Sequence, residues 1–378
     1  MVIKRYIMTP GPTPIPSFVN TSMQSLIHHR TDEFRDVIYS CRKMLKEYFQ
    51  TKNEVAIFTS SGTGAMEASI SNTMCAGDKI VTVEGGKFGE RWGKIAKSFG
   101  IKNIPLKVEY GDYARPEDIK RIIDSEKNIK GVYIQASETS TGTFHPVDEI
   151  GIMLKEDYSD ILYVVDGITA VGVMDVKPDE WGIDVLISGS QKALMLPPGL
   201  SFISVSNKAR DFMKRSKLPH YYFDIEGELS KKDTLFTPAI TLFLGLKRSL
   251  EYILYEEGLR NTIRRHGLLA HAVRESVKAM GLKLLSKRPA DSLTAVISPE
   301  NINSSNIVKI MKDECGVQIS NGQGDLKGKI FRISHMGYVD KPDIIMAIGA
   351  LEIALKKSGY HFSLGQGTQR LLEIFSDG

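Results

Sequence analysis

The sequence predicts an α/β protein, a large domain with a mainly parallel seven-stranded sheet followed by a smaller C-terminal α+β domain. Between residues 55 and 206 seven short apolar runs, VAIFT, KIVTVE, NIPLKV, GVYIQA, ILYVVD, DVLISG and LSFISVS, mostly alternate with amphipathic stretches. That alternation is the pattern of parallel strands whose helices cover both faces of a sheet. From Leu242 to about Met280 the apolar spacing becomes helical, with Gly258 marking a break. At 378 residues the chain also exceeds the size at which one hydrophobic core stops growing, so two domains are expected.

Taken in order, the opening TPGPTPIP cannot be regular helix or central strand, and residues 1–20 are expected to lie extended against other parts of the protein. The large domain is placed at 21–258. Its last two strand runs lack a helix between them, so one of them is expected to run antiparallel. The C-terminal domain is placed at 259–378, with strands at LKLLS, LTAVISP, GVQIS and KIFRISH and helices near Asn303 to Glu314 and Lys341 to Lys357.

Composition removes several function classes. The net charge is +4, from 49 basic and 45 acidic residues that are scattered, so nothing points to nucleic acid; groups such as RNTIRRH read as solvated helix surface. Cys41, Cys75 and Cys315 stand far apart with no metal-ligand spacing, which fits a reducing cytoplasm better than a disulfide framework or a zinc site. No run suits a secretion signal or a membrane span, so a soluble cytoplasmic protein is expected.

Ligand sites in such sheets lie at the carboxyl ends of the strands, and three segments there carry chemistry. In FTSSGTGAMEASI a strand ends, Gly62 and Gly64 free the backbone, and a helix is expected from near Ala65; its N-terminus suits a phosphate. The alternative is an ordinary helix capped by Ser60 or Ser61. The segment lacks the lysine of a nucleotide P-loop and the third glycine of a dinucleotide site. In ILYVVDGITAVG, Asp166 follows an apolar run and either closes an Asx-turn or faces a metal or protonated ring nitrogen; without neighbouring ligands the metal reading is weak. In SGSQKALMLPPGL, Lys192 stands between small residues and apolar ones, where desolvation would lower its pKa and make it a nucleophile. A phosphate site, a strand-end carboxylate and a lysine in apolar company are together what pyridoxal phosphate requires.

With these segments in place the chain resembles the class V aminotransferases, pyridoxal-phosphate enzymes of fold type I that include alanine–glyoxylate and serine–pyruvate aminotransferases. The resemblance covers nearly the whole chain: TPGPTPIP, HHRTDEF, SSGTGAMEA, GGKFGERW, SETSTG, VVDGITAVG, SGSQKALMLPPGLSF, FTPAI and FRISHMG. It implies pyridoxal 5'-phosphate bound as a Schiff base to Lys192, with Asp166 paired to the ring nitrogen. Phe88 would stack on the ring, although alone it reads as a core aromatic paired with Trp92. Thr139 would bond near the ring hydroxyl, otherwise a turn threonine. Gly62, Thr63, Gly64, Ile168 and Gln191 complete the cofactor site, and Thr237 would reach the phosphate from the other subunit of a homodimer. Arg332, by itself an ordinary strand-face residue, would clamp the substrate carboxylate with its planar fork, and the segment around Gly11 would line the substrate entrance.

The implied activity moves an amino group from alanine or serine to pyruvate or glyoxylate by a ping-pong mechanism. The alternatives are a 2-aminoethylphosphonate–pyruvate aminotransferase, for which no second basic pair stands out, and a cysteine desulfurase. Desulfurases carry a histidine before the cofactor lysine, where this chain has Gln191, and a cysteine in a loop that corresponds here to the cysteine-free GVQISNGQGDLKG, with Cys315 just before it. A non-catalytic relative would not need both Asp166 and Lys192, and a nucleotide-binding protein would leave them without a common purpose. The donor, and the roles of His29, Tyr221 and Tyr222, cannot be read from the sequence.

Overall fold

The computed structural model describes residues 4–377. Its centre is a seven-stranded sheet built from β1 (Val55–Phe58), β2 (Lys79–Glu84), β3 (Lys102–Lys107), β4 (Ile129–Gln135), β5 (Leu162–Asp166), β6 (Val185–Gly189) and β7 (Ser201–Val205). The spatial order is β1-β7-β6-β5-β4-β2-β3. Every pairing is parallel except those of β7, which runs antiparallel to both β1 and β6. The missing crossover helix explains this: the connection from β6 to β7 is a short irregular turn, so the chain reverses instead of returning to a parallel start. Strand β3 lies at the edge and is half exposed, where Pro105 costs no ladder hydrogen bond to a further strand.

The sheet is buried on both faces. One face packs on the helix Asp32–Tyr48 and the helix Ile240–Glu251 through Phe34, Leu45, Phe202 and Phe243; the other packs on the helices Gly62–Thr73 and Gly89–Ser98 through Met66, Ile70 and Trp92. Burying each such side chain contributes roughly 1.5–3 kcal/mol.

The helical stretch after the sheet divides at Gly258, which has φ 85°, and the helix Leu259–Ala279 then packs into a separate core around Val273, Phe331 and Ile348. That core covers one four-stranded antiparallel sheet, in the order β8 (Lys283–Leu284), β9 (Leu293–Ile297), β11 (Ile330–Ser334), β10 (Ser320–Asn321). Two details differ from the sequence reading. The run GVQIS is split, with Val317–Gln318 pairing outside this sheet with Tyr6–Ile7 and only Ser320 continuing into β10. The N-terminal segment is extended only as far as Pro16, because a short helix, Ser17–Ser22, begins there and buries Val19. A last helix, Gln366–Asp377, which the sequence reading does not include, packs against Leu259–Ala279 through Leu371 and Ile374.

Candidate active site

The carboxyl ends of β5 and β6 lie side by side mid-sheet, and the segment that follows the edge strand β1 reaches them, with Gly62 beside Gly189 at the end of β6. After β1 the helix Gly62–Thr73 starts three residues before Ala65, and Ser61, at the N-cap, gives it no side-chain hydrogen bond. Ser60 is also no cap; its hydroxyl bonds Ser201 Oγ at 2.7 Å. Among the described residues no group accepts from the N–H of Gly62 or Thr63, so the positive end of the helix is left for an anion. A Cβ on Gly62 would run into Ile168, whose Cγ1 would lie at 3.0 Å, and one on Gly64 would meet Phe223 at 2.9 Å. A side chain at either position would therefore force its neighbours to shift.

Asp166 ends β5 and is 5% exposed. Its Oδ1 accepts from the Ile168 N–H at 2.8 Å, an Asx-turn, while Oδ2 has no partner among the described residues. Burial pushes its carboxyl up to about 7, against which the Ile168 bond, Arg91 and Lys192 act; nearby Glu138 adds to the rise.

The turn that follows β6 is held by Ser190, whose hydroxyl donates to Pro197 O at 2.7 Å and accepts from Leu200 N at 3.1 Å. Lys192 projects from it. Burial lowers its amine to about 8, with Asp166 opposing and Arg332 and Arg91 assisting. Its Nζ donates to Pro10 O, its own carbonyl accepts from Thr13 Oγ1 at 2.8 Å, and Gly11, at φ 113°, has no room for a Cβ against Lys192 Cε. The proline-rich segment therefore walls the lysine in. The side chain of Gln191 lies near Gly62, and its Oε1 is buried without a partner.

Arg332, on β11, brings the second domain to the cleft. It is 4% exposed and lies in no ion pair with a carboxylate among the described residues. Its Nε and Nη2 donate to Asn321 O at 3.1 and 2.8 Å, and Nη1 donates to Thr139 O at 2.8 Å; burial lowers its pKa to about 10. Thr139 itself is buried, with its hydroxyl on Thr169 at 3.1 Å.

Phe88 is not the core partner of Trp92, which packs on Tyr133 instead at 5.0 Å. Its half-buried ring carries the Arg91 guanidinium at 4.8 Å, and Arg91 Nη1 donates to Thr63 Oγ1 at 2.9 Å. Arg91, Pro10 and Glu138 were missed as participants in this site. Glu138 and Arg91 stood inside the quoted SETSTG and GGKFGERW motifs, which was their only signal. Thr237 is exposed. Tyr222 stacks on Phe236 beside it at 5.2 Å, Tyr221 is 86% exposed, and His29 stacks on His28.

Cys315 follows the helix Ser304–Asp313, and its half-buried thiol is pushed above the usual range by burial, a poor setting for a nucleophile. No cluster of three or more metal-ligating side chains occurs, and no helix is long and apolar enough to cross a membrane, among the described residues.

The chain is similar to known proteins over its whole length. The model of the family described as aminotransferase class-V matches residues 17–344. The small subunit of a soluble hydrogenase from Synechococcus sp. is 39% identical over 99% of both chains. A serine–glyoxylate aminotransferase from Hyphomicrobium methylovorum is 36% identical over 100% of this chain and 96% of its own. The crystal structure of the ureidoglycine–glyoxylate aminotransferase from Bacillus subtilis superposes with a TM-score of 0.92 at 30% identity, over 100% of this chain and 99% of that one.

Proposed function

The chain belongs to the class V aminotransferases, pyridoxal-phosphate-dependent enzymes of fold type I, and from that premise we propose that it moves an amino group from alanine or serine to glyoxylate or pyruvate. The observation that carries this reading is the convergence of Lys192, Asp166 and Arg332 from three strands of two sheets on one cleft, each charge felt by the lysine. The relatives named for glyoxylate support the acceptor.

The residues fit the cofactor. The free N–H groups of Gly62 and Thr63, the Thr63 hydroxyl and Gln191 would hold its phosphate, with Gly64 leaving the space and Thr237 of a second copy closing the site in a homodimer. Asp166 Oδ2 is the open acceptor a pyridinium N–H needs, and that positive charge would draw its carboxyl back below 7. Phe88 and Ile168 would flank the ring, and Thr139 would bond its hydroxyl. Bound there through Lys192, pyridoxal phosphate supplies an electron-withdrawing ring that stabilises negative charge at the substrate's α-carbon.

The chain's own groups do the rest. Arg332 holds the α-carboxylate and so turns the Cα–H bond toward Lys192. Once the donor's amino group has displaced it from the cofactor, the Lys192 amine would be free, and burial, which favours its neutral form, would let Nζ take the Cα proton as a base and return it as an acid. Donor and acceptor share Arg332 and occupy the cleft in turn, which yields ping-pong kinetics. The segment from Pro10 to Thr13 keeps water from the lysine. The three free thiols fit a reducing cytoplasm.

Borohydride reduction of the enzyme with its cofactor, followed by peptide mapping, tests the assignment. The label is expected on Lys192, and label elsewhere would overturn it. Bleaching of the cofactor absorbance by a panel of amino donors then identifies the substrate; failure of both alanine and serine would refute the donor class.

A further inference from the structure

The structure points to a role for a carboxylate outside the groups assigned above. We propose that Glu138 is a positioning residue that sets the Phe88 ring and, through the Thr139 turn, the Arg332 fork. This rests on the cofactor and substrate roles proposed for those two side chains.

Glu138 is fully buried, three residues beyond β4, in the two-residue strand Ser137–Glu138 that pairs with Thr143–Phe144. Its Oε2 accepts from Gly89 N at 2.9 Å, Gln135 Nε2 at 3.0 Å and Phe88 N at 3.2 Å; its Oε1 accepts from Ser140 N at 3.0 Å and Ser140 Oγ at 2.5 Å. Every partner is a donor, and no cation lies in salt-bridge reach among the described residues. Burial pushes its carboxyl up, and the bonds from Ser140, Gly89 and Phe88 act against that rise, so the site is shaped for a group that only accepts, which an ionised carboxylate is and an amide is not.

The position of Phe88 explains why the chain accepts this buried charge. Phe88 is the N-cap of the helix Gly89–Ser98, where a short polar residue would cap the helix locally with no burial cost. A phenylalanine cannot do so. The chain keeps the aromatic ring there, outside the main cores, and Glu138, fifty residues away, takes the first two N–H groups of the helix, those of Phe88 and Gly89, which no side chain at the N-cap itself would serve. The same residue fixes the turn at its other side, since Ser140 is bonded twice to it and Thr139, between them, gives its carbonyl to Arg332 at 2.8 Å. One carboxylate thus ties together the loop bearing the ring and the turn that braces the guanidinium.

The test is Glu138→Gln, which keeps the shape and turns one oxygen into a donor facing donors. Cofactor affinity is read by titrating the apoenzyme with pyridoxal phosphate, ring placement by the visible circular dichroism of the bound cofactor, and substrate grip by KM and kcat separately. The folded variant is expected to bind the cofactor about tenfold more weakly, with a visible band of reduced intensity, and to raise the donor KM more than it lowers kcat. A folded variant with affinity, visible band and KM all within about twofold of wild type overturns the proposal. If Glu138→Gln does not fold, Ser140→Ala decides. It removes one donor and leaves the charge, with a smaller loss in the same direction expected and wild-type behaviour refuting the role. Wild-type protein that takes up no cofactor at Lys192 sinks the functional reading itself; uptake by wild type with unaltered variants sinks this inference alone.

Discussion

Replacing Arg332 with lysine tests the substrate clamp while keeping the charge. A guanidinium has five N–H donors. Three are spent on the protein: Nε and Nη2 on Asn321 O and Nη1 on Thr139 O. One N–H remains on each terminal nitrogen, a fork matched to both oxygens of a carboxylate. A lysine ammonium that satisfies the same two carbonyls has one donor left, so Arg332→Lys forfeits one charge-assisted hydrogen bond to the substrate. Such a bond is worth about 1.5–3 kcal/mol, or roughly 10- to 150-fold in apparent affinity. The assay is the amino half-reaction followed by cofactor absorbance, with donor concentration varied, and with an alkyl amine that lacks a carboxylate as comparator. The donor KM is expected to rise in that range while cofactor binding and reaction with the alkyl amine hold steady. A donor KM within about twofold of wild type would show that the carboxylate is bound elsewhere.

Four further outcomes are expected. Burial holds the Lys192 amine at about 8, so attachment of pyridoxal phosphate to the apoenzyme, followed by stopped-flow absorbance, should accelerate up to that pH and then level off; a rate still rising through pH 10 would refute it. The linked stability has a definite sign: between about 8 and 10.5 the unfolded lysine binds a proton that the folded one does not, so stability gains with pH across that window. Below it, apo Lys192→Met should exceed wild type by about 3 kcal/mol in urea unfolding, and the gap should close above it. Gly62→Ala should weaken cofactor binding and cost about 1–3 kcal/mol of stability through its clash with Ile168, and adding Ile168→Ala should recover much of the stability; no recovery would mean that the contact with Ile168 is not the cause. Mixed dimers of Lys192→Ala and Thr237→Val chains should regain activity, because one of their two shared sites has both native residues; mixtures as inactive as the parents would argue against a site shared between subunits.

Much of the site was legible because its parts are local. A strand, two glycines and a helix make the anion end by themselves, and an aspartate or lysine directly after an apolar strand must emerge at the carboxyl edge of a parallel sheet. The helix start at Gly62 rather than Ala65 was missed because Ser61 caps by position without a side-chain hydrogen bond. Phe88 was open to two readings, since its i+4 spacing to Trp92 suits a core pair; only the packing of Trp92 on Tyr133 decides between them. Glu138 could not be recognised, because a carboxylate in a run of small polar residues looks the same whether it is solvated or buried under five donors.

The sequence alone determined the order of strands along the chain, a reversal at one of the last two, and the residue types that meet at their ends, because periodicity and strand-end placement follow from local geometry. The tertiary structure decided what those residues feel. Lys192 is near 8 because the N-terminal segment and a second domain desolvate it, Arg332 reaches the cleft because β11 lies beside the Thr139 turn, and Asp166 keeps one oxygen free because Ile168 takes only the other. Those are distances between segments remote in the chain, and dielectric screening and hydrogen-bond competition depend on such distances rather than on sequence.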